Sequence, residues 1–183
     1  MPVELAAPLG LLLDVIESLT RQIKACDQQI EQLARTDYPE TERLSSIPGV
    51  GTLTALTFVL TIENKDRFAR SRDVGPYLGL CPARQQSGGR DPQLGISKAG
   101  DPYLRRLLVQ CAHRVLREQG PASALRTWGR QLAARGGAKA KKRALLAVAR
   151  KLAVLLHKLW TSGRCFEPFY GARTPVELLS ERA

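Results

Sequence analysis

Leu5, Leu9, Leu12, Ile16, Leu19, Ile23, Cys26, Ile30 and Leu33 follow one another at alternating steps of four and three. That period of 3.5 commits the first part of the chain to a long helix with one apolar seam. It is the pattern of a coiled coil, sustained over about four heptads. Pro8 sets the predicted helix start near Leu9, because proline suits only the first turn. Thr36-Asp-Tyr-Pro39 breaks the pattern, so residues 1–38 are expected to form one element. A seam of this kind either pairs with a second copy, making a homo-oligomer through residues 9–33, or packs on another helix of the same chain.

Beyond residue 39 the expectation is a single helical domain over 39–165, followed by a tail over 166–183. The 183 residues suffice for a substantial core. Glu40–Ile62 reads as a short helix, a tight Ile47-Pro-Gly-Val-Gly51 turn and a second, apolar helix. This resembles a helix-hairpin-helix. Gly49 and Gly51 permit positive φ and a close approach of backbone to a neighbouring surface. The N–H groups that open the second helix at Thr52 lie at its positive dipole end, a natural phosphate seat that reads backbone rather than base sequence. An ordinary helix–helix turn is the plainer alternative. Ser71 is predicted to cap a short helix over 72–78, with Val74, Tyr77 and Leu78 inward and Gly79 closing it.

Leu80–Asp101 is different. It is polar and rich in Gly and Pro, and loops of this length without regular structure are usually functional or disordered. Over 80–100 it holds Ser87, followed by Gly88 and Gly89 and flanked by Arg84, Arg90 and Lys98. Asp101-Pro102 then starts a helix, with Asp as N-cap and Pro at the first turn. Tyr103, Leu104, Leu107, Leu108, Cys111, Ala112, Val115 and Leu116 form its inward stripe through Glu118, leaving Arg105, Arg106, Arg114 and Arg117 outside. Pro121–Arg135 is predicted to be a shorter helix and Ala138–Thr161 the last long one. The latter opens with Lys139, Lys141, Lys142 and Arg143, cations that oppose the helix dipole. They suit either an external anion or a solvated face. The tail is expected to pack through Phe166, Phe169 and Tyr170, with a short helix from Pro175. The fold expected is therefore all-α: a coiled-coil helix, a helix-hairpin-helix at 40–62, and a basic helical domain with a long Gly-rich loop.

Charge narrows the partners. Lys and Arg total 28 against 17 acids, a formal charge of +11. Residues 1–46 hold 4 basic and 8 acidic side chains, which leaves 24 basic and 9 acidic for residues 47–183. A positive field segregated onto the loop-bearing part favours a polyanion, DNA or RNA, with salt-sensitive binding. The four cysteines show no Cys-x-x-Cys spacing, and the two histidines complete no metal set. Cys26 and Cys111 fall on apolar helical faces. His113 and His157 are expected at a helix surface or core edge, without catalytic roles. A reduced, cytoplasmic protein without disulfides is expected. The acidic N-terminal stretch is not that of a secretory leader, and Arg150 and Lys151 interrupt the longest apolar run, so no membrane span is expected.

The ordered motifs Ile47-Pro-Gly-Val-Gly51, Tyr77-Leu-Gly-Leu-Cys-Pro82, Gln86-Ser-Gly-Gly89, Leu94-Gly-Ile-Ser-Lys-Ala-Gly-Asp-Pro-Tyr-Leu-Arg105 and Ala147-Val-Ala-Arg-Lys-Leu152 carry a resemblance. Together they resemble the C-terminal half of the bridge-RNA-guided transposases of the insertion sequence 110/116/902 family, over about residues 40–160. The resemblance implies DNA transposition and recombination of a mobile element, with Ser87 as the nucleophile on a DNA phosphodiester. It implies a guide RNA as a further partner. Gly88 and Gly89 would admit the strand, while Arg84, Arg90 and Lys98 would balance phosphate charge. It also implies Mg²⁺, held by the acidic ligands of an RNase-H-like domain that these residues do not contain, so no cofactor is expected in this chain itself. Two further readings stand beside it: a non-catalytic helix-hairpin-helix module binding DNA or RNA, and a coiled-coil dimeriser with an incidental basic surface. The nucleic-acid contacts expected on the first two readings are Gly49, Gly51, Thr52, Arg84, Gly88, Gly89, Arg90, Lys98, Arg105, Arg106, Lys141, Lys142 and Arg143.

Overall fold

The computed structural model describes residues 6–83, 95–120, 122–137 and 139–169. Among them the chain is all-α, with helices α1 (Ala6–Asp37), α2 (Glu40–Ser45), α3 (Thr52–Ile62), α4 (Val74–Tyr77), α5 (Pro102–Leu116), α6 (Ala124–Ala134) and α7 (Ala140–Ser162). The sole extended pairing among the described residues is an antiparallel bridge between Pro82 and Ile96.

α7 is the central rod. Val148, Ala149, Leu152, Ala153 and Leu156 are buried along it, and α5, α6, α4 and α2 pack around it. Each neighbour brings the apolar stripe that its helical period dictates. From α5 come Leu104, Leu108 and Val115, from α3 Phe58 and Ile62, and from α2 Leu44, all in one core with Ile47, Val74 and Leu78. α6 approaches α7 at Gly129, where a Cβ would lie 2.6 Å from a Val148 methyl and 2.7 Å from one of Leu116. Lys151 reaches across to Trp128, its ammonium 3.8 Å from the ring centre. Burial there lowers its pKa.

α1 behaves otherwise. Among the described residues it meets the body through its last turns, where Ala34 is 1% exposed and the buried Thr41 hydroxyl donates to the Tyr38 carbonyl at 2.7 Å, with the Ala34 carbonyl at 3.3 Å. The rest is an arm. Leu12, Ile16, Leu19 and Ile23 of the seam are exposed, and so are Leu11 (69%), Leu13 and Val15. Among the described residues no helix covers that seam. Cys26 is exposed on the same arm, whereas Cys111 is buried beside the Thr54 hydroxyl at 3.5 Å, and burial pushes its thiol pKa up.

Several local expectations need correction. α1 is already helical at Ala6, so the expected start near Leu9 does not hold. α6 begins at Ala124, where the Ser123 hydroxyl caps the helix by accepting from Arg126 N–H. α7 begins at Ala140. Ser71 caps nothing. It lies in a 3₁₀ turn, Ser71–Asp73, and its hydroxyl meets His157.

His157 itself is a core residue at 1% exposed, not a surface or edge residue. Its Nε2 donates to the Lys65 carbonyl at 2.9 Å, which leaves Nδ1 to accept from the Ser71 hydroxyl at 3.0 Å. Burial is the largest influence and lowers its pKa, against the opposing pull of the Lys65 carbonyl and Asp66. In the tail, Phe166 packs on the core, while Tyr170 and the segment from Pro175 lie outside the described residues.

Candidate nucleic-acid interface

Three features with basic side chains beside them lie along α3, α5 and the segments that flank the long loop. The first is the paired base of that loop. Ala83 N–H donates to the Gly95 carbonyl at 2.8 Å, Ser97 N–H to Cys81 at 2.8 Å and Lys98 N–H to Gly79 at 3.2 Å. These bonds bracket Pro82 and Ile96 as a non-hydrogen-bonded pair, so Pro82 sits where no N–H is required. Residues 79–83 and 95–100 thus form a short neck. Gly79 and Gly100 both have positive φ, and at both the backbone of the opposite segment occupies the place of a Cβ: Ala99 N and O at Gly79, the Tyr77 carbonyl oxygen at Gly100. Arg84, Ser87, Gly88, Gly89 and Arg90 lie outside the described residues.

The second feature is a groove of about 630 Å³ that starts at the neck and follows α5. Lys98, Arg105, Arg106 and His113 line it, with Ile96, Pro102, Val109 and Gln110. Asp101 caps α5 by accepting from Leu104 N–H at 2.6 Å, with Pro102 in the first turn, so the sequence reading of this start holds. The cap fixes where the α5 side chains point. Lys98 is exposed and takes a φ of +59, uncommon for a residue with a side chain. Arg106 is exposed and lies over the Tyr103 ring, 5.7 Å from its centre. Arg105 is half-buried, and its Nη1 donates to the Leu78 carbonyl at 3.2 Å and the Ala99 carbonyl at 2.9 Å. Its guanidinium thus binds protein backbone on one side of the groove.

The third feature is the turn between α2 and α3. Val50 N–H donates to the Ile47 carbonyl at 3.0 Å. Gly49 takes a φ of +94, and a Cβ there would lie 3.3 Å from Arg114 Cβ, the Cys111 carbonyl and a Val115 methyl. The close approach it permits is therefore to α5. Gly51 is the opposite case. It is exposed, nothing lies within 4 Å of its Cβ position, and it begins α3 without a side-chain cap. The N–H groups from Thr52 onward open α3 at its positive end. Beside the turn is a second cleft, of about 330 Å³, lined by Pro48, Gly49, Arg114 and Arg117. Sequence reading placed those two arginines on the outer face of α5 but did not include them as contacts. Their nearness to a turn more than sixty positions earlier in the chain has no local signal.

Lys141, Lys142 and Arg143 are exposed on the first turn of α7 and line neither cleft. Among the described residues no three or more His, Cys, Asp or Glu converge as a metal centre would. No described helix is long and apolar enough to cross a membrane.

Comparison with known proteins places the chain among transposases. Residues 41–128 match the family model described as "Transposase IS116/IS110/IS902 family", a range that contains the α2–α3 turn, the neck and α5. The chain is 41% identical over 103 residues to the transposase for insertion sequence element IS1328 of Yersinia enterocolitica, covering 56% of this chain and 28% of that protein. It is 36% identical over 180 residues to putative transposase y4rJ of Sinorhizobium fredii, covering 91% of this chain and 45% of the relative. It is also 34% identical over 136 residues to the transposase for insertion sequence element IS1111A of Coxiella burnetii, covering 74% and 36% respectively. The chain thus spans less than half the length of these relatives. With the motifs of the turn, the neck and α5 all inside the matched range, the chain belongs to the IS116/IS110/IS902 family of transposases.

Proposed function

We propose that this chain is the serine-bearing, DNA-engaging part of an insertion-sequence DNA transposase, with Ser87 as the nucleophile. The observation that carries the reading is the neck: it gathers both ends of the Ser87 segment at one end of the basic groove of Lys98, Arg105 and Arg106. In the proposed step the Ser87 oxygen attacks phosphorus and one phosphorus–oxygen bond to the sugar breaks. The proton lost by the serine ends on the departing sugar oxygen. One phosphodiester has become a phosphoserine ester, and a free sugar hydroxyl reverses the step when strands are rejoined. A serine hydroxyl requires activation for this. An RNase-H-like domain with acidic ligands and Mg²⁺, from elsewhere in the polypeptide or from another chain, supplies that environment in this reading.

Lys98 and Arg106, with the uncapped start of α3 at Gly51 and Thr52, are proposed to hold phosphates. Arg84 and Arg90 are proposed to offset charge on the attacked phosphate. A guide RNA is proposed to select the target, and residues 9–33 to join two copies. The test is Ser87→Ala in the intact recombinase. Strand exchange should vanish while DNA affinity stays within about twofold, and full exchange by this variant would remove the nucleophile.

The open start at Gly51 also suits a second reading, a helix-hairpin-helix module that holds DNA or RNA without cutting it. That reading predicts salt-dependent binding and no covalent protein–DNA adduct under any condition.

A further inference from the structure

Arg105 was expected to bind nucleic acid, yet its side chain is engaged inside the protein. One nitrogen, Nη1, carries two hydrogens and gives one to each side of the neck: to Leu78, just before the entering segment, and to Ala99, near the end of the leaving one. A guanidinium suits this place because its donors are fixed in a plane and stay charged. Among the described residues three backbone hydrogen bonds join the two segments of the neck, and Pro82 cannot add another. The entering segment is also tied to the body by Leu80, which is buried in the core and whose N–H donates to the Gly75 carbonyl. The close contacts at Gly79 and Gly100 leave the two segments no room for a side chain between them.

We infer that Arg105 is a positioning residue, a clamp that fixes the neck and so sets the direction in which the Ser87 segment leaves the body. The inference rests on the proposed role of Ser87 for its catalytic consequence, but the clamp itself does not. Positioning of a nucleophile has large leverage on rate, since a misplacement of about 1 Å can cost on the order of 100-fold.

The informative variant is Arg105→Lys, which keeps the positive charge but places its nitrogen one atom short of Nη1, away from the point between the Leu78 and Ala99 carbonyls. Amide hydrogen exchange on the chain as it stands tests the clamp. Exchange at Ala83, Ser97 and Lys98 should rise at least tenfold, with Leu152 and Leu156 of α7 unchanged; unaltered neck exchange would overturn the inference. In the intact recombinase, strand transfer at saturating DNA should fall at least tenfold with Kd within twofold. A weakened Kd with full turnover at saturation is the signature of a phosphate ligand and would overturn it too.

A second variant guards against simple misfolding. Pro82→Cys with Ile96→Cys, placed in the Arg105→Lys background with Cys81→Ser, puts a disulfide across the close non-hydrogen-bonded pair. Oxidation should restore strand transfer relative to the reduced form; restored neck protection without restored transfer would overturn the positioning role. If Ser87→Ala retains full strand exchange, the nucleophile reading fails, and the clamp is then judged on neck exchange alone.

Discussion

A methyl group at Gly49 would press on α5, whereas one at Gly51 would meet nothing. The two glycines therefore separate stability from binding. Gly49→Ala forces a side chain into positive φ against a packed helix and should cost about 1–3 kcal/mol, read by denaturant unfolding. Gly51→Ala should change stability by less than about 1 kcal/mol, and a loss of DNA affinity in that variant would mark the start of α3 as a contact. His157 gives a pH prediction. Its folded pKa lies below the ordinary value of 6.5, so below that pH the unfolded chain binds more protons than the folded one. Stability from this residue is complete above about pH 6.5 and declines as pH falls towards the folded pKa. Unfolding measured between pH 7.5 and 5 should show this slope, and His157→Gln should flatten it. Neither the role of His157 nor that of Arg105 could be read from the sequence. The histidine's partner Ser71 is 86 positions away and the arginine's partner Leu78 is 27 positions away, and only the assembled fold brings them together. The Asp101 cap was legible because its partner is three residues on.

At the scale of elements, the helix stripes dictated most of the core. α5 buries Leu104, Leu108, Cys111, Ala112 and Val115 of its predicted stripe, which recur every third or fourth position, but Tyr103 of that stripe is exposed at the first turn, where Arg106 lies over its ring. Helix ends were less legible than helix faces: α6 was expected from Pro121, but its N-cap is Ser123. The tight contact of α6 with α7 was also hidden, because a glycine inside a helix reads as a weakness until its neighbours are known. Gly129→Val would drive a branched side chain into Val148 and Leu116. It should destabilise by about 1–3 kcal/mol, as overpacking does, and lower the melting temperature of the body.

For the whole molecule, the seam of α1 was plain in the sequence, but its partner was not. A period states which residues share a face and says nothing about what covers it. The structure leaves that face outside the core. The body and the arm are thus expected to respond to mutation separately. Ile16→Lys with Ile23→Lys should convert a self-associated form to monomer in sedimentation, while unfolding of the body shifts by less than about 0.5 kcal/mol. A strict monomer before mutation, at high concentration, would sink the proposed pairing.

The arm has one more property, its length. Thirty-two residues of α-helix extend about 48 Å, roughly the rise of fourteen base pairs. Such a rod is a ruler. Two arms paired in parallel would set their bodies side by side, whereas two paired antiparallel would hold them about a rod's length apart, more than one turn of a DNA duplex. The orientation of one helix pair would then decide whether two bodies meet the same stretch of DNA or successive ones, and a distance measured between labels on the two bodies would tell which.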